Sequence, residues 1–437
     1  MKNVVFILLT IVTNLSFAAD NNRLRIHGSN TVGASLAPAL VKQWLTTKGY
    51  IVTSDKVLAK EERLIEAKKD NRALEIEIHA HGSSTSFKDF AKGKTDVGMS
   101  SRPIKAKELK KLSFLGNLKS KQSEYVIALD GLPIIVHPAN PINSMSKATV
   151  TRIFSGQITH WRQLGVNHLG KINLYARDNN SGTYDTFKSL VLSKKTPLSK
   201  KAKRFESNKI LSDSVAADPD GIGFTGLAYV RKSKLLAISD TGTKAIKPTT
   251  FSVATEDYAL ARRLFLYVPE KNAHPLAKDF AMFAITSELA DSTVTQVGFV
   301  SQRIIPFKMN PPDDAPVEYS KLVNDAERLS LNIRFKPGSV QLDNKAVRDI
   351  DRIASFLAKP ENKKRKVMLF GFSDKHEVAP YVSLSLSVQR ADIVADNLLR
   401  RHVASHRVRG YGQQLLIASN KTEKGRYSNR RVEIWLD

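Results

Sequence analysis

Leu24-Arg25-Ile26-His27 runs directly into Gly28-Ser29-Asn30-Thr31-Val32-Gly33, and shortly afterwards Ala37 to Leu45 repeats its apolar residues at helical spacing. A strand-like run, a Gly/Ser/Thr turn and a core-facing helix in that order make a strand-to-helix junction. The pattern returns twice. Leu74 to His79 leads into Gly82-Ser83-Ser84-Thr85-Ser86 and a short helix starting at Phe87 and stopping at Gly93; Ile172 to Ala176 leads into Arg177-Asp178-Asn179-Asn180-Ser181-Gly182-Thr183. Further strand-like runs, Tyr125 to Leu129 and Pro133 to His137, alternate with helix-like segments, which predicts α/β layering over this part of the chain.

At such a junction the first helical N–H groups have no partner inside the helix and carry the positive end of its dipole. Neighbouring Ser and Thr hydroxyls donate alongside them, and glycine lets the backbone come close to a guest. Ser, Thr and Asn at helix starts are most often plain N-caps, so one turn alone says little. Three of them, one with Arg177 four residues ahead of Ser181-Gly182-Thr183, are suited to surround a tetrahedral oxyanion with neutral donors and a single planar cation.

In order and spacing these turns resemble those of PstS-like periplasmic phosphate-binding proteins. Asp96-Val97-Gly98-Met99-Ser100-Ser101-Arg102-Pro103, Ile153-Phe154-Ser155-Gly156-Gln157-Ile158-Thr159-His160-Trp161 and Asp220-Gly221-Ile222-Gly223-Phe224 extend the resemblance over residues 23–306. It implies an α/β two-lobed type II periplasmic-binding fold, with one lobe from about 23–128 plus 255–306, the other from about 135–250, and a hinged cleft between them. Carried over by position, the ligand groups fall on Thr31, the Val32 backbone, Ser83, Arg177, Ser181, Gly182 and Thr183. Ser101 stands where high-affinity members place an Asp that accepts the proton of hydrogen phosphate. A carboxylate there repels fully ionised sulfate, whereas a hydroxyl tolerates either anion.

Further along, Gly371-Phe372-Ser373-Asp374, Leu386-Ser387-Val388-Gln389-Arg390-Ala391 and Asn429-Arg430-Arg431-Val432-Glu433-Ile434 resemble an OmpA-like peptidoglycan-binding module. Strand-like Val367 to Phe372 and Val432 to Leu436, with helix-like Val340 to Leu357, make this unit a small α+β domain. Leu384, Val388, Ala391, Ala395 and Leu398 form one apolar stripe, expected to face its core. The resemblance implies that Asp374 grips the ammonium, and Arg390 the carboxylate, of the free end of meso-diaminopimelate in the peptidoglycan stem. The family's Asn three residues before the Leu-Ser pair is Ser383 here, while Gly410, Gly412, Gly425, Arg426 and Arg430 are expected as turn and structural positions. Between the modules, Pro306 to Tyr319 holds four prolines in a polar stretch, an extended spacer expected to hold them apart. The expected domains are therefore a leader, 1–19, an oxyanion-binding domain, 20–306, a linker, 307–324, and the OmpA-like domain, 325–437.

Lys2, the apolar run Val4 to Phe17 and Ser16-Phe17-Ala18-Ala19-Asp20 read as a secretory signal, cleaved near Ala19 or Asp20. The 437-residue chain carries a formal net charge of +26, which favours anionic partners without choosing among them. Absence of cysteine excludes disulfides, thiolate metal sites and a lipidated cysteine. His79 and His81 share a strand face, yet no further ligand lies at a telling sequence spacing, so no metal and no cofactor are expected. Ser181-Gly182 lacks a nucleophile elbow and a histidine base, which speaks against hydrolase chemistry and for a protein that is not an enzyme. Nucleic acid is disfavoured by export and by the lack of a reading motif. The sequence thus points to a periplasmic, wall-associated receptor for phosphate or a related oxyanion in a Gram-negative envelope, with association to the outer membrane a further expectation. The alternative is a structural wall-binding protein whose N-terminal domain contacts another protein rather than binding solute; a receptor that still feeds an ABC permease is a third reading.

Overall fold

The computed structural model describes residues 22–179, 181–193, 195–205, 207–336, 339–374 and 379–437. The expected leader, Asn180 of the third turn and part of the loop after Asp374 lie outside the described residues.

Strict alternation in Arg23–Gly28 sends Leu24 and Ile26 into a core beneath the helices Leu36–Thr47, Pro275–Thr286 and Glu288–Val297, and leaves Arg23, Arg25 and His27 on the opposite face. This strand is central in a seven-stranded sheet ordered Ile51–Ala59, Glu62–Lys69, Arg72–His79, Arg23–Gly28, Val97–Ser100, Ala261–Tyr267, Glu124–Gly131. Arg23–Gly28 pairs in parallel with both neighbours, so the turns that follow Gly28, His79 and Ser100 emerge side by side at one end of the sheet.

A second core gathers around Ile134, Val136, Phe154, Trp161, Phe187 and Phe224, beneath a five-stranded sheet ordered Lys203–Phe205, Asn173–Arg177, Gly221–Phe224, Ile134–Val136, Lys234–Leu235. These are the two lobes. The chain crosses from the first to the second after Glu124–Gly131 and returns after the helix Thr250–Ala254 into Ala261–Tyr267. The outgoing and returning strands pair antiparallel, with Asp130 directly opposite Arg262.

The C-terminal unit is a sheet ordered Pro306–Lys308, Glu327–Arg334, Arg431–Leu436, Val367–Gly371, Ser405–Gly410, covered by the helices Asn344–Leu357 and Pro380–Leu399. Its first strand falls inside the stretch expected as a spacer. Pro306–Lys308 is an edge strand, a position where proline removes no needed ladder bond, and Val317–Val323 is a helix whose Tyr319 and Val323 pack against Phe370, Phe372, Tyr411 and Trp435. The modules are therefore not held apart. Phe307 rests on Phe251 with ring centroids 4.8 Å apart, and a buried polar seam joins the sheet to the lobe boundary. Arg328 donates to Asp257 at 3.0 Å, Asn332 to the Thr255 carbonyl and Asp257, both at 2.8 Å, and Arg334 to the Thr255 carbonyl at 2.9 Å. At its rim Arg263 is paired with both Glu256 and Asp343, at 2.7 and 2.8 Å.

The apolar stripe of the long helix is rotated from its expected place. Ala391 and Leu398 are in the core, but Leu384 and Val388 are exposed, and Ser383, Ser387 and Arg390 take the buried face of the first half. Close backbone approach is the reason: a Cβ on Gly371 would stand 2.0 Å from the Ser387 carbonyl oxygen, and one on Gly410 would stand 2.4 Å from Ser387 Oγ. That hydroxyl accepts from Gly412 N–H at 2.9 Å and donates to the Leu384 carbonyl at 2.7 Å. Only a small residue fits. Ser387→Leu is expected to lower stability by about 1–3 kcal/mol or more through overpacking, and Leu384→Ser to change it by less than about 0.5 kcal/mol; urea denaturation of the two variants checks the register.

Burial would push the Glu433 carboxyl up, but Arg328 and Arg431 beside it prevail and hold it down at about 2, against an ordinary value of 4.5. A carboxylate depressed on folding stabilises fully above its unfolded value and loses that contribution as pH falls towards the folded one. Glu433→Gln, which leaves buried guanidinium groups short of a partner, should cost about 3–5 kcal/mol at pH 7. The deficit against the parent should shrink steadily as the pH is lowered from 4.5 towards 2; a deficit constant with pH in urea titrations would contradict the assignment.

Candidate functional site

The three turns meet. Gly82 N–H donates to the Gly28 carbonyl at 2.7 Å, which ties the second turn to the first at the end of the first lobe's sheet. Ser83, at the start of the helix Ser83–Phe90, has its hydroxyl 3.2 Å from that of Ser101 and accepts from the Ser101 amide at 3.0 Å. Both side chains are buried. Arg102, next in sequence, turns away to Glu108, at 2.6 Å, and lies over the Phe87 ring.

From the second lobe, Ser181 caps the helix Gly182–Leu190, accepting from Tyr184 N–H at 3.3 Å. Gly182 is the point at which the lobes touch: a Cβ there would lie 2.0 Å from Thr31 Oγ1 and 3.0 Å from the Thr31 amide nitrogen. Only glycine permits this approach. Thr183 is buried one residue further on, and Arg177, buried at the end of Asn173–Arg177, uses its Nε to donate to the Phe205 carbonyl at 3.2 Å. Val32 is wholly buried in the first-lobe core, and its amide donates to the Ser29 carbonyl at 3.1 Å. In this conformation that N–H is engaged within its own turn.

One element of the site was not anticipated. Arg262 pairs with Asp130 at 2.7 and 3.0 Å, donates to the Gly182 carbonyl at 2.9 Å and donates to Thr31 Oγ1 at 3.2 Å. A single guanidinium thus holds the crossing strands together and also bridges the two lobes beside the meeting point of the turns. Burial pushes the Asp130 carboxyl up, and Arg262 opposes the shift. The sequence signal was present but diluted: a charge ends the apolar run Tyr125 to Leu129, and two more, Arg262 and Arg263, interrupt Ala261–Tyr267.

In the C-terminal domain, Asp374 follows the strand Val367–Gly371, Arg390 lies on the helix Pro380–Leu399, and both are fully buried. Arg390 Nη1 is 3.4 Å from the Phe372 carbonyl oxygen, and its guanidinium stands over the Phe335 ring. Asp374 accepts from Arg430 at 2.7 Å, and Arg430 also pairs with Glu423. Arg430, expected as a turn and structural position, is therefore the ion-pair partner of Asp374. Ser383, the departure from the family pattern, accepts from the Gln413 side chain at 2.7 Å.

Comparison with known proteins agrees with this architecture. Residues 49–288 match the PBP superfamily domain, and residues 334–430 match the OmpA family. Protein SphX of Synechococcus elongatus is 32% identical over 246 residues, covering 54% of this chain and 71% of that protein. The phosphate-binding protein PstS of Staphylococcus epidermidis is 32% identical over 228 residues, covering 50% of this chain and 68% of its own length. An ABC-type phosphate transport receptor from Vibrio cholerae superposes with a TM-score of 0.50 at 23% identity, over 63% of this chain and 99% of that one, a likeness of fold. Two touching α/β lobes followed by a separate sheet domain, with these matches in the same order, place the chain in the PBP superfamily, with a C-terminal domain of the OmpA family.

Proposed function

We propose that this chain captures phosphate or a related tetrahedral oxyanion between its two lobes and is moored to peptidoglycan by its C-terminal domain. The observation that carries the proposal is the contact of Thr31 with Gly182 across the lobes, with the first turn, which holds Thr31, tied to the second through Gly28 and Gly82. Phosphate-binding relatives over the same stretch support it. In this reading Thr31, Ser83, Ser101 and Thr183 offer hydroxyls. The helix start at Ser181 and Gly182 offers amides and a favourable dipole end. Arg177 supplies the full positive charge. Closure removes water and strengthens these charge-assisted bonds. Ser101, with no carboxylate oxygen to repel an unprotonated anion, allows sulfate as well as phosphate.

Mooring rests on Asp374 for an ammonium and Arg390 for a carboxylate, the two ends of a diaminopimelate stem terminus. Because Asp374 is held by Arg430, an incoming ammonium exchanges for or shares that partner. No helix among the described residues is long and apolar enough to cross a membrane. The protein then works as a binding protein without chemical turnover in a Gram-negative periplasm, on the wall and close to the outer membrane. It hands its anion to an ABC permease within reach of the tether.

Calorimetric titration with phosphate and with sulfate tests the capture role. Heat and thermal stabilisation are expected with phosphate, and Arg177→Ala should weaken binding by about 100-fold or more through loss of a bidentate charged donor, with sedimentation on purified sacculi unchanged. Asp374→Ala and Arg390→Ala should do the reverse. No response to either anion at millimolar concentration would overturn capture. Gly182→Ala places a methyl between the lobes and should abolish the phosphate-induced compaction seen by small-angle scattering, with circular dichroism verifying that the variant is folded; full compaction in that variant would contradict the closure geometry.

A further inference from the structure

Sequence spacing hid a cluster that sheet pairing assembles. Parallel register sets His27 beside His79, and Arg25 beside Glu77, so His27, Glu77 and His79 share the face opposite the first-lobe core. Glu77 Oε1 lies 3.0 Å from His27 Nε2 and 3.3 Å from His79 Nε2. One ligand atom from each of the three lies within 4.8 Å of the others. Ligands about 2.0–2.2 Å from a tetrahedral zinc ion stand about 3.3–3.6 Å from one another, so the carboxylate already stands near coordination distance from both rings.

We propose that His27 Nε2, His79 Nε2 and Glu77 form a binding site for a divalent transition ion of the zinc type. Two imidazole nitrogens and one carboxylate are a borderline donor set, suited to zinc and poorly suited to magnesium or calcium. The outer shell is built as such sites require. His27 Nδ1 is 2.9 Å from Asp89 Oδ2, which orients the ring and leaves Nε2 to face Glu77. The His27 and His79 rings stack with centroids 4.2 Å apart. Glu62, 3.9 Å from His79 Nε2 and 2.9 Å from His81 Nε2, lies at the open rim with His81, where a fourth ligand or water completes the set.

The location gives the ion a structural consequence. His27 precedes the first turn, His79 precedes the second, and Asp89 sits on the helix that follows it, so the ion cross-links the strand ends that carry Thr31 and Ser83. The site stands on groups outside the oxyanion cleft, and its test does not depend on anion binding.

Tag-free full-length protein, stripped with chelator and kept free of phosphate, is titrated with Zn²⁺ by calorimetry and with Co²⁺ by visible absorption. One ion per chain and a rise in melting temperature are expected. His79→Ala and Glu77→Gln should each weaken Zn²⁺ binding by about 100-fold, and Asp89→Asn by about 10-fold through loss of ring orientation. Circular dichroism verifies that each variant is folded, and Glu77→Gln preserves shape should the histidine variant be unstable. Absence of binding in the parent overturns the site. So does undiminished binding in folded His79→Ala or Glu77→Gln, which would assign the ion to other histidines.

Discussion

Arg262 and Asp130 face each other across the two strands that carry the chain between lobes, and their buried ion pair is the constraint around which the rest is arranged. Neither charge tolerates burial alone, so the pair fixes the register of the crossing strands. The same guanidinium reaches the Gly182 carbonyl and the Thr31 hydroxyl, and so couples the crossing to the contact between lobes. Such a pair contributes little net stability over an apolar isostere, but it penalises arrangements in which the lobes are out of register.

Next along the chain, Arg263 faces the other way. It binds Glu256 beside the return crossing and Asp343 of the C-terminal domain, and its guanidinium lies near the Tyr427 ring. Tyr427 belongs to the short helix Glu423–Asn429, which Arg430 follows directly, and Arg430 is the partner of Asp374. Consecutive arginines therefore reach the contact between the lobes and the C-terminal domain. The C-terminal domain also touches both lobes, through Asn344 and Arg348 on the backbone around Lys119 to Glu124 and through the Ser419 amide on Asp240. A module packed against both lobes in this way braces them.

The local parts of this architecture were legible in the sequence, because strand, glycine-serine turn and helix start are contiguous there. Thr31, Ser83 and Ser181 could be marked as helix-start residues without knowing the sheet order. What escaped were residues joined by pairing. Asp130 and Arg262 are 132 positions apart, and His27 is 50 from Glu77, so only strand register shows that they meet. The apolar stripe on Pro380–Leu399 misled for a related reason. Glycines of two neighbouring strands press the Ser387 backbone so closely that small and polar residues, not Leu384 and Val388, take the inner face. Prolines in 306–319 suggested a free spacer, yet an edge strand and a helix start accommodate them, and the apolar partners that order the segment lie far along the chain.

The central claim is that separate turns from two lobes enclose one tetrahedral anion. A crystal structure of the full chain grown with phosphate tests it most directly. The account predicts one phosphate between the lobes, within hydrogen-bond distance of Thr31, Ser83, Arg177 and the helix start at Ser181–Thr183. Crystals grown in saturating phosphate that show the lobes joined at Thr31 and Gly182 with no anion there, or the anion bound elsewhere, would contradict it.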